Sequence, residues 1–343
     1  MRWFKPLKPV INVASLTDRT DGQKTSYSSQ MQTYVKTVRT HGAEKVNMQE
    51  VVTQKDGLAK IGRDFAETRA QDEHNAILSV LKGVAISEAL KGAAGTGGNV
   101  GLGGQTFFND PEDPRYGFYV DLGANKMVAD RGTAYNTGAE RAEAIINAFG
   151  MAYKDYEPPY AYLAVSPAVF ASFRSANLFG AKVTEGNVEF ETIFEGKFRL
   201  IQTRATQSLL GSEMTKLNLG AGVDIVGQYT SFIILPGALA MEPLAVPTPV
   251  EIDRDASSFH GGGSTEVWYR WGYVVAPAGY SWAGSEEAFP TDADYMATVN
   301  TSTGAQGALS AVPDATALNL TRGVWQRKTS SALSLGILPI FHS

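Results

Sequence analysis

Residues 57–92, GLAKIGRDFAETRAQDEHNAILSVLKGVAISEALKG, carry one long helical pattern that contains no proline. The first half places Leu58, Ile61 and Phe65 at spacings of three and four residues, as on one face of a helix. The second half repeats that face with Ile77, Leu78, Leu81, Val84 and Ala85. Some thirty residues in one helix would be roughly 45 Å long, about the breadth of a compact body of this chain's size. Such a rod suits the frame of an extended structure.

Both ends of the pattern carry boundary signals. Asp56 is suited to cap the helix beside Gly57, and Gly92 is suited to end it. The apolar face is weakest over residues 72–75, where the polar sequence DEHN interrupts it. The sequence therefore predicts a helix over residues 57–92 and leaves open a bend at residues 72–75.

Composition limits the class of protein. A chain of 343 residues with 43% hydrophobic content can bury a large core, as one folded unit or as two joined domains. The absence of cysteine excludes disulfides, thiolate zinc sites and a cysteine nucleophile. No apolar run reaches the roughly 18 residues of a membrane span, and the start MRWFKPLKP lacks the apolar stretch of a signal peptide. We expect a soluble protein that is made in the cytoplasm and has no membrane partner.

Charge is distributed unevenly along the chain. Residues 1–45 contain eight basic and three acidic residues, a net charge of +5, so the remainder carries −10. A basic arm of this kind is either a solvated terminus or a segment that binds nucleic acid or another acidic partner. The acidic remainder argues against tight sequence-specific DNA binding, which uses a clustered basic face.

The rest of the pattern alternates helices and strands. Thr137 and Glu140 form a capping-box signature for a helix over residues 137–150, and Ser166 with Pro167 opens a shorter helix. Residues 10–55 alternate as in an exposed hairpin, and two long strands flank the loop SSFHGGGS. A short helix in PTDADYMAT and a final apolar strand in SSALSLGILPIF end the chain. The predicted fold class is α+β.

The chain offers little that resembles an active site. The string His260-Gly-Gly-Gly is similar to the oxyanion loop of esterases, and Ser281 is the nearest serine to a nucleophile, but its second glycine is one residue late. The glycines at 57 and 62 lack the Lys and Ser or Thr of a phosphate loop, and those between 92 and 104 give no dinucleotide fingerprint. The histidines at 41, 74, 260 and 342 are scattered. We predict no catalytic, cofactor-binding or metal-binding residues, and hence a protein that acts through its surfaces.

Several strings resemble, in the same order, the major capsid proteins of tailed bacteriophages. They are AILSVLKGVAISEAL, TGAERAEAIINAF, YAYLAVSPAVFASFRSANLF, STEVWYRWGYVVAPAGYSWAG and FPTDADYMAT, followed by the terminal strand. The resemblance covers most of residues 50–343, and Tyr-Arg-x-Gly-Tyr-Val with the later Pro-x-Gly-x-Ser-Trp is its most specific part. It implies the Hong Kong 97 phage shell fold.

The resemblance also implies a division of the chain. The segments are an N-terminal arm (1–20), an extended E-loop hairpin (21–56), a P-domain (57–160) with the spine helix 57–92 and the second helix 137–150, an A-domain (161–240), return strands of the P-domain (241–285), and a C-terminal segment (286–343). In the return strands, Trp268, Tyr269, Trp271 and Tyr273 would alternate between a helix-packed face and the opposite face. The glycine-rich stretch 92–104 and a surface loop at about 298–317 depart from the family pattern.

The implied function is structural. The protein would assemble with itself into hexamers and pentamers of an icosahedral virion shell around double-stranded DNA, with a scaffold protein, a portal and a decoration protein as further partners. Assembly would take place in the host cytoplasm, without enzymatic activity or cofactor. Two alternatives stay open at this point: a serine hydrolase that uses Ser281 with the His260 loop, and a nucleic-acid-binding module that uses the basic arm.

Overall fold

The computed structural model describes residues 2–4, 29–47, 57–93, 120–121, 137–153, 158–203, 217–218, 224–225, 229–285, 289–300, 306–307, 321–328 and 335–342. The helices in these ranges are α1 (Gly57–Ala93), α2 (Gly138–Ala152), α3 (Pro167–Ser175), α4 (Ser258–Gly261) and α5 (Asp292–Tyr295). The strands are β1 (Arg2–Phe4), β2 (Ser29–Met31), β3 (Thr37–Val46), β4 (Val120–Asp121), β5 (Ala161–Val165), β6 (Val183–Glu185), β7 (Val188–Phe190), β8 (Thr192–Ile193), β9 (Phe198–Gln202), β10 (Leu217–Asn218), β11 (Asp224–Ile225), β12 (Tyr229–Ile234), β13 (Leu239–Leu244), β14 (Val250–Asp255), β15 (Ser264–Pro277), β16 (Tyr280–Trp282), β17 (Thr298–Asn300), β18 (Gln306–Gly307), β19 (Thr321–Gly323), β20 (Trp325–Arg327) and β21 (Ile337–His342).

Helix α1 is a single continuous helix of 37 residues, roughly 55 Å long at 1.5 Å per residue. It begins at the predicted residue, ends one residue beyond the predicted stop, and passes through residues 72–75 without a break. Its N-terminal half buries Phe65 and leaves most other side chains exposed, whereas residues 76–88 are buried around almost the whole circumference. The one-sided apolar face thus describes only the first half, because α5, β19 and β20 enclose the second half.

A long sheet lies against the exposed half of α1, with the 14-residue strand β15 at its centre. Strand β3 pairs along one edge of β15, and β13 followed by β14 pairs along the other. The two predicted long strands around the loop SSFHGGGS are therefore present. The first is divided at residues 245–249, because Pro247 and Pro249 have no N–H to give to a ladder.

The N-terminal strands differ in part from the predicted hairpin. Strand β3 pairs with β15, and the two-stranded ribbon of β1 and β2 joins the start of the chain to the residues just before β3. The pairing of β1 with β2 links the segment assigned to the arm with the segment assigned to the E-loop. The remaining residues of these two segments, 5–28 and 48–56, lie outside the described residues.

A second sheet of six strands has the order β4-β21-β12-β5-β9-β8. Helix α2 packs against it, since the Phe149 ring lies 5.1 Å from the Phe198 ring of β9. Both helix starts follow the sequence signals: Thr137 and Glu140 form the capping box of α2, and Ser166 caps α3 with Pro167 in its first turn. These caps satisfy backbone N–H groups that have no partner within the helix.

Two structural features concern segments that the sequence analysis assigned from the family resemblance, and the division into segments stays a prediction. Helix α2, assigned with residues 57–160, packs on the six-stranded sheet that contains the strands of residues 161–240, and the C-terminal strand β21 is inserted in that same sheet. The surface loop at 298–317 begins as strand β17, where Val299 is buried, and continues into β18. In both cases contacts with residues distant in sequence decide the placement.

Most of the buried apolar residues of α1, of both sheets and of β16, β17 and β20 belong to one hydrophobic cluster, which does not include Phe65 and Val267. The two sheets are therefore parts of one packed body. None of the helices in the described ranges is long and apolar enough to cross a membrane.

Gly83 allows the close approach of α1 to its surroundings. A Cβ atom at this position would lie 2.0 Å from the carbonyl oxygen of Tyr295 and 2.7 Å from Trp325 Cδ1.

Replacing a helical glycine with alanine usually stabilises a helix by up to about 1 kcal/mol. We predict instead that Gly83→Ala lowers the free energy of unfolding by about 2 kcal/mol or more, as measured by urea denaturation, because the clash outweighs the propensity gain.

Gly62 on the same helix provides the matched control. A Cβ atom there meets nothing within 4 Å. Gly62→Ala should therefore raise the free energy of unfolding by about 0.5–1 kcal/mol. Equal effects of the two substitutions would contradict the close packing inferred at Gly83.

Candidate functional site

The residues considered for hydrolase chemistry lie far apart. Ser281 is buried in β16, where its Oγ accepts a hydrogen bond from the backbone N–H of Thr33 at 3.1 Å. His260 lies in α4, before the start of β15, and Ser281 follows the other end of that strand. A strand of 14 residues spans roughly 45 Å, so the loop and the serine do not share a site.

The other candidates for chemistry are equally dispersed. The glycines at 57 and 62 lie within α1, and the histidines at 41, 74, 260 and 342 lie on β3, α1, α4 and β21. His74 is exposed, with its Nε2 3.3 Å from Thr203 Oγ1. Within the described ranges no three His, Asp or Glu side chains are grouped so that they could hold a metal ion.

The feature that stands out is the frame, which we define as α1 together with the long sheet β3-β15-β13/β14. Side chains of β15 alternate across this sheet, as the sequence predicts. Tyr269, Trp271 and Tyr273 face α1, whereas Trp268 faces away, is 41% exposed and lies over Gly42 of β3. The long sheet of the frame therefore has one face packed against α1 and one face open to solvent.

Asp72 of α1 is the polar centre of the frame. Its Oδ2 accepts hydrogen bonds from Trp271 Nε1 at 2.8 Å and from the Tyr273 hydroxyl at 2.9 Å. Its Oδ1 accepts from Arg39 Nε of β3 at 3.3 Å. Burial, with the hydrogen bond to Asp72, raises the pKa of Tyr273 well above its ordinary value, which keeps the hydroxyl a donor. One carboxylate thus ties the helix to two strands.

An aromatic stack runs beside this centre toward the N-terminus of α1. The rings of Phe65 and Tyr269 are stacked with centroids 5.6 Å apart, and Tyr269 stacks on Trp271 at 5.4 Å. His41 of β3 meets the Phe65 ring edge-on at 5.3 Å. Arg69 Nη1 donates to the Tyr269 hydroxyl at 3.1 Å. The stack binds the exposed half of the helix to the sheet along two helical turns.

Helix α5 joins the same centre from the side. Arg39 Nη2 lies 3.5 Å from Asp292 Oδ1, so the guanidinium bridges Asp72 and Asp292. The Thr37 hydroxyl is hydrogen-bonded to the Tyr295 hydroxyl. Burial raises the pKa of the Asp292 carboxyl, and the charge of Arg39 opposes that rise. Strand β3 therefore binds both α1 and α5.

The enclosed half of α1 is held by a buried ion pair and by hydrogen bonds. Glu88 and Arg327 form an ion pair at 3.4 Å, with both side chains only 1% exposed. Ser87 is the residue before Glu88, and its Oγ accepts the Trp325 backbone N–H at 3.2 Å and donates to the Gly83 carbonyl at 2.7 Å. These contacts join α1 to β20, which lies more than 200 residues later in the chain.

Sequence reasoning missed the role of Asp72 and treated residues 72–75 as the weakest part of the helix. One signal was available: Trp271 and Tyr273 stand on the same side of an alternating strand, and a buried Trp or Tyr needs a partner for its N–H or O–H. An acidic residue in the middle of a long amphipathic helix is suited to that role.

We predict that Asp72→Ala lowers the free energy of unfolding by about 3 kcal/mol, because three donors lose a charged acceptor. Asp72→Asn, which keeps one acceptor oxygen, should lower the free energy of unfolding by a smaller amount. Asp64→Ala, at an exposed position on the same helix, should change the free energy of unfolding by no more than about 0.5 kcal/mol. Urea denaturation of the three variants tests this order, and similar values for Asp72→Ala and Asp64→Ala would contradict it.

A second prediction concerns the buried pair of Glu88 and Arg327. Glu88→Gln should lower the free energy of unfolding by about 3–5 kcal/mol, since it leaves a guanidinium charge buried without its partner. The double variant Glu88→Leu with Arg327→Met should be more stable than Glu88→Gln. The surface pair Glu251 and Arg270, at 2.7 Å, is the control, and Glu251→Gln should cost about 1 kcal/mol at most. A double variant less stable than Glu88→Gln would contradict the prediction.

Comparisons with known proteins gave similarities in structure only. No protein-family model matches the chain, and no curated protein matches it in sequence. The chain is similar to the capsid of cyanophage P-SCSP1u, with 11% sequence identity and a TM-score of 0.48 over 81% of this chain and 80% of that chain. It is similar to the capsid asymmetric unit of cyanophage Pam1, with 10% sequence identity and a TM-score of 0.44 over 81% of this chain and 80% of that chain. It is also similar to the head structure of Helicobacter pylori bacteriophage KHP40, with 8% sequence identity and a TM-score of 0.44 over 100% of this chain and 83% of that chain. All three are phage capsid or head structures.

Proposed function

We propose that this chain is the major capsid protein of a tailed bacteriophage, with the Hong Kong 97 phage shell fold. The observation that carries the proposal is the frame: one unbroken helix of roughly 55 Å that lies along a long sheet at one end and enters the core at the other. The family strings support it, because they fall on the elements that build the frame and the six-stranded sheet. In this proposal α1 is the spine helix, the long sheet belongs to the P-domain, and the six-stranded sheet belongs to the A-domain.

The physical demands of a shell subunit agree with the frame. A subunit in a closed shell contacts several neighbours at once, so it needs a stiff element that holds its separate contact surfaces at fixed distances. Contacts repeated around closed rings add up, and each one can be weak. In the frame, the exposed half of α1 and the open face of the long sheet provide surface, while Asp72 and the aromatic stack provide stiffness.

The proposal extends to assembly, partners and location. Copies of the chain would form hexamers and pentamers of an icosahedral shell in the virion, after assembly in the host cytoplasm with a scaffold protein and a portal. A decoration protein would bind the outside in a shell that uses one. The net charge of −5 suits a shell that encloses double-stranded DNA without binding it tightly. The role is structural, without catalysis.

Electron microscopy of the purified full-length chain tests the proposal. We expect rings and closed particles as protein concentration, salt or a crowding agent is raised, together with a matching rise in mass by light scattering. The exposed variant Asp64→Ala should assemble in the same way. A uniform monomer under every condition would overturn the proposal.

The basic N-terminal segment supports one competing function, a nucleic-acid-binding module. That function predicts DNA binding by the monomer that weakens steeply with salt, since each phosphate contact releases counterions. Deletion of residues 1–45 would abolish such binding. Salt-dependent binding by a chain that never assembles would favour this competing function over a shell subunit.

A further inference from the structure

Helix α5 is a single turn of four residues, and it contacts the three elements α1, β3 and β20. Its last residue, Tyr295, is buried, and the Tyr295 ring lies 6.2 Å from the ring of Trp325 on β20. The Tyr295 carbonyl accepts a hydrogen bond from Trp325 Nε1 at 3.1 Å and also lies against Gly83 of α1. The Tyr295 hydroxyl is hydrogen-bonded to the hydroxyl of Thr37 on β3. The C-terminal end of α5 is therefore fixed in the core.

The N-terminal end of α5 is joined to β3 by one long ion pair. Asp292, the first residue of the helix, is half-buried, and its Oδ1 lies 3.5 Å from Arg39 Nη2. That oxygen is itself buried and accepts no hydrogen bond from the described residues. A buried carboxylate oxygen without a hydrogen-bond donor disfavours the charged form of the group. This end of the helix is thus held less firmly than the other end.

The guanidinium of Arg39 is shared unequally between two carboxylates. Asp72 Oδ1 lies 3.3 Å from Arg39 Nε and accepts a hydrogen bond from it. Asp72 also accepts hydrogen bonds from the side chains of Trp271 and Tyr273. Asp292, in contrast, has only the longer contact with the same cation. The charge of Asp72 is therefore well compensated, whereas the charge of Asp292 is not.

The described titratable groups around Asp292 come from four elements. Arg39 lies on β3 and Asp72 on α1, and the hydroxyls of Tyr273 on β15 and Tyr295 on α5 complete the set. Burial raises the pKa of both tyrosines, so both are neutral at physiological pH. One cation thus faces two carboxylates. Burial raises the pKa of Asp292, the charge of Arg39 opposes that rise, and the charge of Asp72 adds to it.

The direction of this pKa shift decides which form of the helix each protonation state favours. A raised pKa means that the closed helix binds the proton of Asp292 more tightly than an opened helix does. The resulting preference for the closed form is fully present below the ordinary pKa of 3.8. It is lost as the pH rises through the raised pKa, because the carboxylate is more stable in water than in its half-buried place. Ionisation of Asp292 therefore favours opening of the N-terminal end of α5.

We infer that α5 is a pH-sensitive clamp on β3, whose N-terminal end closes when Asp292 is protonated and opens when Asp292 is ionised. The C-terminal end stays in the core in both forms, because α1 and β20 hold Tyr295. Arg39 passes wholly to Asp72 when the clamp opens, so the frame stays joined. Among the described strands β3 pairs only with β15, and the clamp therefore sets how firmly this edge of the long sheet is held. The inference concerns contacts within one copy and does not depend on the proposed function.

Amide hydrogen exchange of the full-length protein at a series of pH values tests the clamp. The Tyr295 amide donates to the Thr291 carbonyl at 3.3 Å and reports opening of the N-terminal end. After correction for the intrinsic pH dependence of exchange, we expect the opening constant to rise several-fold between about pH 4 and pH 7, since one unit of pKa shift is a tenfold change. The Phe170 amide, which donates to the Ser166 carbonyl in the first turn of α3, is the control and should show no such rise.

Asp292→Asn removes the titrating group and keeps a side chain of the same shape. In this variant the Tyr295 amide should open at pH 7 as rarely as the unchanged protein does at about pH 4, and the pH dependence should disappear. Asp64→Asn, at an exposed position on α1, is the matched control and should keep the full pH dependence. The urea midpoint gives a second readout: we expect Asp292→Asn to exceed the unchanged protein at pH 7 and to equal it at about pH 4.

Two outcomes would overturn the clamp. An opening constant that rises equally with pH in the unchanged protein and in Asp292→Asn would show that another group controls α5. More frequent opening of Asp292→Asn than of the unchanged protein at pH 7 would show that the ion pair between Asp292 and Arg39 outweighs the cost of burial.

Discussion

The carboxylate of Asp72 is the interaction on which the frame depends. It accepts hydrogen bonds from Trp271 and Tyr273 of the central strand and from Arg39 of the neighbouring strand. A charged acceptor at a partly buried position is stable only with such donors, and a buried Trp or Tyr in turn needs an acceptor for its N–H or O–H. The helix is therefore fixed in rotation and in register against the sheet, and the aromatic stack toward Phe65 follows from that placement.

The two halves of α1 are held by different means, and this difference gives the helix its role. The first half is bound on one side only, by the sheet, and keeps its other sides in solvent. The second half is enclosed and is locked by the buried pair of Glu88 and Arg327 and by the close contact at Gly83. A helix that is enclosed in the core at one end and bound on one side at the other suits the stiff frame of the proposed shell subunit.

The exposed strand β14 belongs to the same arrangement. It pairs with the central strand on the side away from β3, and its other edge pairs with none of the described strands.

The amino-acid sequence by itself determined the elements whose signals are local: the length of α1, the capping box of α2, the start of α3 at Ser166, the short helix α5, and the alternation along β15. Only the tertiary structure decided the partners of Asp72 and Glu88, the sheet on which α2 packs, and the burial of Val299. The physical reason is the distance along the chain. Helix caps and side-chain periodicity act within a few residues, whereas Asp72 and Trp271 are 199 residues apart and meet only when the sheet has formed.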